Sequence, residues 1–207
     1  AYLLHVQAGI RGPIVIAVPH AGPAYTPSLL SRARVSQDVL ARLEDRLADQ
    51  LAADLIAQGH HVLIARQPRA LIDLNRHERE VDLRAISGVP WSFRSQTSAK
   101  VRGGLGLIPE RLTQHGHLWR SPLPYEALME RIEEVHRPYH AALASALEAT
   151  RQRHGVALLL DLPAGAAVGV GKTRLRVAAV TTHEPGVELG FLGGAPRLIL
   201  NAADIHA

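Results

Sequence analysis

The sequence predicts an α/β fold: a mostly parallel central sheet flanked by helices in three layers. Three observations carry this. Apolar runs of strand length lie at 14–18, 61–65 and 156–162. Apolar residues at helical spacing fill about 36–58 and 125–153 between them. Strand and helix periods alternate along the chain, as they do where helices connect parallel strands.

Ile14–Val18 is a short apolar run that ends in Pro19-His20-Ala21-Gly22, a buried strand leading into a turn. Leu40, Leu43, Leu47, Leu51 and Leu55 recur at three- and four-residue steps, which predicts one helix over about 36–58 with Gly59 as its stop. His61–Ala65 reads as a second strand. After Pro68, Leu71–Arg76 reads as a short strand or strand end. Residues 84–124 carry Gly103, Gly104, Gly106, Gly116 and several Pro and Trp, the composition of a long irregular segment. Such segments in compact domains are functional or mobile. Leu128, Ile132, Val135, Tyr139, Leu143 and Leu147 then return to helical spacing, and Pro138 among them predicts a kink or two abutting helices. Val156–Leu162 is the most apolar strand candidate, and Arg174–Val180 reads as a further strand.

Composition narrows the function. A chain of 207 residues suits one domain over 1–207, and 47% hydrophobic residues suffice for a core. No apolar run reaches the roughly 18–20 residues of a membrane span, and no signal-peptide layout opens the chain. No membrane partner and a cytoplasmic location are therefore expected. There is no cysteine, so disulfide scaffolds, thiolate-bound zinc and a thiol nucleophile are excluded. Any metal must be held by His and carboxylates. The net charge is +4, with 21 Arg and 2 Lys scattered along the chain, and only 8 Phe, Trp and Tyr could stack on bases. No nucleic-acid partner is expected.

In parallel sheets, ligands bind beyond the carboxyl ends of the strands. His20, the Asp73–Arg76 segment and Asp161 fall at such ends. His20 suits a metal ligand or general base, and equally a hydrogen-bonded turn. Arg76 offers a fork for a carboxylate with Asn75 beside it, or Asp73 and Arg76 form a structural ion pair. His136 and His140 share a helix face at four-residue spacing, as metal-binding pairs or surface histidines do. His77-Glu78-Arg79-Glu80-Val81 lacks the second His of a metalloprotease motif. His183-Glu184 before Pro185-Gly186 reads as a turn.

Taken together, Val18-Pro19-His20-Ala21-Gly22, Asp73-Leu74-Asn75-Arg76, Arg137-Pro138-Tyr139-His140-Ala141-Ala142-Leu143 and Leu158-Leu159-Leu160-Asp161 resemble the N-formylglutamate amidohydrolase family, as does the loop Gly106-Leu107-Ile108-Pro109. The resemblance covers roughly 13–162 in the family's order. It implies a fold related to the zinc carboxypeptidases, phosphorylase/hydrolase-like. It implies one zinc ion and hydrolysis of the formyl amide of N-formylglutamate, or of a similar small acidic acyl-amino acid, to formate and glutamate in histidine catabolism. It marks His20 and Asp45 as metal ligands. It marks Asn75 and Arg76 as substrate-binding, and leaves His140 and Asp161 as catalytic candidates. Arg94, Arg102 and Arg120 lie in the loop expected to close over the site.

The region 163–207 departs from the family layout as a divergent or incomplete part. Pro163 stands where members carry a His expected to bind metal. This admits an inactive member that still binds an acidic small molecule. A third reading is a nucleotide-binding protein through Gly171-Lys172-Thr173. Against it, a P-loop needs a helix at this point, and the residues that follow read as a strand.

Overall fold

The computed structural model describes residues 2–5, 12–45, 48–162, 166–170 and 173–176. The chain divides into two compact units. Pro163, Gly171, Lys172, His183 and most of the expected strand 174–180 lie outside the described residues.

One unit comprises Leu3–Val18, Asp45–Ile64 and Ala141–Ala207. Its sheet joins β1 (Tyr2–His5), β2 (Ile14–Val18), β3 (His61–Ala65) and β4 (Leu158–Asp161) in the order β1-β3-β2-β4. β2 pairs in parallel with β3, from Val15 opposite His61 to Val18 opposite Ile64. It also pairs in parallel with β4, from Ile14 opposite Leu158 to Ala17 opposite Asp161. A central parallel strand is covered on both faces, so it reads as an unbroken apolar run rather than an alternating one. β2 follows that rule: Val15, Ile16, Ala17 and Val18 are all buried. The expected α/β class is thus observed, with β1 as an added strand that the sequence did not announce. A hairpin pairs Ala166–Val170 antiparallel with Thr173–Arg176. The residues after Lys172 therefore continue as a strand, and the helix start that a P-loop uses to hold phosphate is not formed there.

The other unit comprises Ala1–Tyr2, Pro19–Glu44 and Ala65–His140. The helix expected over 36–58 is broken between the units. Ser36 precedes a single turn, Gln37–Leu40, that tightens at Ala41–Leu43. Glu44 is then fully extended, at φ −95° and ψ 157°. Tertiary partners override the helical spacing at this point: the Tyr25 hydroxyl donates to the Glu44 carboxylate, and Arg69 donates to the Leu43 carbonyl at 3.4 Å. Leu40 and Leu43 join a cluster with Ala33, Ala70 and Leu118. The remaining leucine of described burial, Leu55, lies in a separate helix, Ala48–Ala57, and is buried within the first unit.

Residues 84–124 are largely irregular, as expected, with two short ladders that pair Ile86–Ser87 with Leu123–Pro124 and Arg111–Leu112 with Gly116–His117. The helical region divides into α1 (Tyr125–Arg131) and α2 (Arg137–His154), joined by a π-helical turn at Ile132–His136. The Arg137 N–H reaches back five residues to the Ile132 carbonyl. Pro138 has no N–H, and in a regular helix its ring crowds the carbonyl four residues back. The wider turn immediately before it takes the place of the expected kink.

Candidate active site around Asp73

Asp73 is fully buried, and four donors meet its carboxylate. Oδ1 accepts from His20 Nε2 at 2.9 Å and from the Asn75 N–H at 2.9 Å. Oδ2 accepts from Arg69 through Nε at 2.9 Å and pairs with its terminal nitrogen at 2.8 Å. An ionised carboxylate has about four lone-pair positions, so this one is saturated. Burial by itself would raise its pKa. The hydrogen bond and charge of His20, the Arg69 charge and the Asn75 amide outweigh burial and hold the carboxyl well below the usual carboxylate range.

The carboxylate also shapes the backbone. An Asp side chain that accepts from the N–H two residues on makes an Asx turn, which competes with extended structure. Here that bond is Asn75 N–H to Oδ1, and the Arg76 N–H closes on the Asp73 carbonyl at 3.1 Å. Residues 71–76 therefore form a turn, where the sequence predicts a strand or strand end. Asn75 and Arg76 stand on its outer side, with Asn75 exposed. Arg76 Nε lies 3.7 Å from Asp73 Oδ2, an ion-pair contact beyond hydrogen-bond reach. Asp73 forms a structural ion pair principally with Arg69, and Arg76 stands at its edge.

Two neighbouring loops support the turn. His20 is 4% exposed and sits directly after β2. Its position depends on Gly22: a Cβ there would lie 2.1 Å from the Gln67 carbonyl oxygen. The loop Gly106–Pro109 supplies the Leu107 carbonyl to the Asp73 N–H at 2.7 Å, and the Leu107 N–H reaches the Glu80 carbonyl at 2.7 Å. Gly106 permits this approach, because a Cβ would meet the Glu80 oxygen at 2.6 Å.

The helical side contributes two histidines. His136 Nε2 donates to the Arg76 carbonyl at 2.9 Å, and His140 Nε2 donates to the Leu74 carbonyl at 3.0 Å. Burial lowers the His136 pKa, and the hydrogen bond to Arg76 and the Glu78 charge only partly offset it. Next to His136, Arg137 pairs with Glu78 at 3.0 Å and with Glu133. Arg137, Arg79 and Arg94 line a cavity of about 290 Å³ with Phe93, Tyr125 and Met129. Glu78 also lines it and offsets Arg137, and among the described residues Arg79 and Arg94 pair with no carboxylate, so the lining carries a net positive charge. Arg120 is engaged otherwise: its side chain donates to the Ala33 carbonyl.

The structure thus gathers His20, Asn75, Arg76 and His140 of the expected residues into one unit. Asp45 and Asp161 belong to the other unit. There, the Asp45 carbonyl accepts from the Ala48 N–H, and Asp161 ends β4 opposite Ala17. Sequence reasoning missed Arg69, whose only signal was its position four residues before Asp73. It also missed that both helical histidines face one turn. As to metal, His20 turns Nε2 toward Asp73, so a metal would meet Nδ1 of the neutral ring, an arrangement frequent behind metal-bound histidines. Among the described residues, however, no three His, Asp or Glu side chains converge on a cation position. The described residues fit one ligand of a zinc site and not a complete set.

The sequence model of N-formylglutamate amidohydrolase matches residues 12–206. The chain belongs to this family. Among curated proteins it is 29% identical over 160 residues to an N-formylglutamate deformylase of Pseudomonas aeruginosa and 30% identical over 160 residues to one of Pseudomonas putida. Each alignment takes in 73% of the chain and 51% of the relative, so the chain spans about half the length of the curated relatives it matches. Among solved structures, an N-formylglutamate amidohydrolase from Ralstonia eutropha JMP134 superposes with a TM-score of 0.72 at 31% identity, over 78% of this chain and 57% of that one. A gene product of Agrobacterium tumefaciens shares the fold, with a TM-score of 0.55 at 17% identity over 84% of this chain and 60% of that one. The family resemblance of the four short motifs is therefore shown, and the α/β class with it. No helix among the described residues is long and apolar enough to cross a membrane.

Proposed function

We propose that the chain hydrolyses the formyl amide of N-formylglutamate, releasing formate and glutamate. One observation carries this beyond family membership: Asn75 and Arg76, the pair that the motif gives to a substrate carboxylate, stand together on a turn built around Asp73 and His20. Arg76 binds a carboxylate through its fork, and the Asn75 amide hydrogen-bonds the same ligand. The substrate has two carboxylates. The cavity lined by Arg79, Arg94 and Arg137, with Glu78 among its residues, offers further positive charge for an acidic ligand. In the reaction, water adds to the formyl carbon, the C–N bond breaks, and the departing amine takes a proton.

The zinc expectation is part of this proposal. Zinc on His20 would supply an acidified water and a polarised carbonyl. Asp45 is proposed as the acidic ligand from the resemblance, and Asp161 as a catalytic carboxylate from its place at the carboxyl end of a strand. Elemental analysis and formate release test this together. About one zinc per chain and formate release that disappears in His20→Ala are expected. Metal-free protein that releases no formate at high enzyme concentration overturns it.

A second reading is a binding protein of the same family without turnover. The incomplete ligand set among the described residues favours it. It predicts that glutamate raises the melting temperature, that Arg76→Ala abolishes this, and that no formate appears.

A further inference from the structure

We infer that His136 and His140 are positioning residues: together they clamp the turn that carries Asn75 and Arg76 and set the direction of the substrate-binding pair. This rests on the reading of Asn75 and Arg76 as ligand-binding.

Residues four apart on a helix lie one above the other on the same face. His136 and His140 have this spacing, and their ring centroids are 4.3 Å apart. Each uses the same atom, Nε2, on a main-chain carbonyl of the turn. His140 holds Leu74 and His136 holds Arg76, so the two carbonyls flank Asn75 in sequence. Both acceptors are 60 or more residues away in the chain. His136 is 2% exposed, and a buried carbonyl left without a donor is costly. Asp73 fixes the near side of the turn through its carboxylate, and the histidines fix the other end of the peptide run. Between these attachments the main chain that carries Asn75 and Arg76 is held in place, which lowers the entropy lost when a ligand is bound. The π-helical turn ends at His136, so it sets the angle at which this face meets the turn.

On this inference His140 acts through the peptide it holds, which separates it from a group that exchanges protons with the substrate. The two roles differ in which replacement restores function. The side-chain nitrogen of Gln falls near Nε2 of a histidine, and that of Asn falls near Nδ1. A clamp through Nε2 is restored by His140→Gln, remains broken in His140→Asn, and is absent in His140→Ala.

Three measurements on the full chain test this. Hydrogen exchange of the 73–77 amides needs no ligand. It is expected to quicken about tenfold in His140→Ala and His140→Asn and to return to the wild-type rate in His140→Gln. Glutamate affinity by calorimetry is expected to weaken about tenfold in the first two variants and to recover in the third. If formate is released, KM follows the affinity and the pH profile of kcat keeps its shape. Unchanged exchange in His140→Ala overturns the inference. So does a His140→Gln protein as impaired as His140→Ala, with a lost limb in the pH profile, because that is the behaviour of a proton carrier. If His140→Ala does not fold, His140→Asn against His140→Gln carries the same comparison. Failure of the wild type to release formate counts against the proposed hydrolysis and leaves the exchange result to decide the clamp.

Discussion

Nε2 of His20 donates to Oδ1 of Asp73 at 2.9 Å, and both side chains are buried. The bond fixes the histidine tautomer and half-neutralises a carboxylate that Arg69 holds from the other oxygen. Asp73→Asn leaves Arg69 with no counter-charge in a poorly solvated position. Removing one partner of a buried pair costs roughly 3–5 kcal/mol. A loss at the lower end, about 3 kcal/mol, is expected in urea denaturation, because Arg69 keeps partial access to water.

The same carboxylate sets an acid limb. Its folded pKa lies below its ordinary value of 3.8. The stabilisation is therefore complete above that value and is lost as the pH falls through the lower, folded one. Wild type should be more stable than Asp73→Asn at neutral pH. The difference should shrink below about pH 4, as read by thermal melts across that range. A difference that grows on acidification contradicts the assignment.

Glu110 should behave oppositely. Burial first, and then Asp82, push its pKa up to about 8, against the pull of Arg131 and Arg32. Between 4.5 and about 8 the folded protein holds a proton that the unfolded chain has released. Stability therefore falls as the pH rises through this window, by at most about 1.4 kcal/mol per pH unit. Glu110→Gln removes the slope, so the variant should melt above the wild type at pH 8 and show little gain at pH 5.

Arg76→Ala should leave folding intact, since Asp73 retains its four donors. A hydrogen-bonded charge is worth about 1.5–3 kcal/mol, so glutamate affinity should drop by one to two orders of magnitude. Calorimetry reads this, and a variant that binds like the wild type removes Arg76 from the site.

Gly22→Ala places a methyl against the Gln67 and Arg66 main chain, at 2.1 and 2.5 Å. Backbone cannot step aside as a side chain would. The variant should lose about 3 kcal/mol or more and should release less formate even where it is folded, because His20 is two residues away.

The sheet was legible because a buried parallel strand writes itself as a run of apolar residues: Ile14–Val18, His61–Ala65 and Leu158–Asp161 were all found this way. The helix expected over 36–58 was not, because leucines at three- and four-residue steps look the same whether they serve one core or two. Leu40 and Leu43 pack in one unit and Leu55 in the other, and the bonds that force the break come from Tyr25 and Arg69, distant in sequence. Asp73-Leu74-Asn75-Arg76 was found by its chemistry and misjudged in conformation, since its apolar alternation suits a strand while the Asp side chain closes a turn. His20 and Arg76 could be named from their motifs. The bonds that orient their surroundings, from Arg69, His136 and Leu107, run between segments with no shared pattern.

The π-helical turn at Ile132–His136 makes the helix before it a separately phased element. Imposing ordinary α-helical winding there with no residue removed would rotate Tyr125–Arg131 by up to roughly 100° about the axis. Leu128, now fully buried, would swing off its face, and Tyr125 and Met129 would leave the arginine-walled cavity. His136 and His140 would keep their spacing. The winding of this short stretch is therefore as much a part of the site's specification as the identity of any side chain in it.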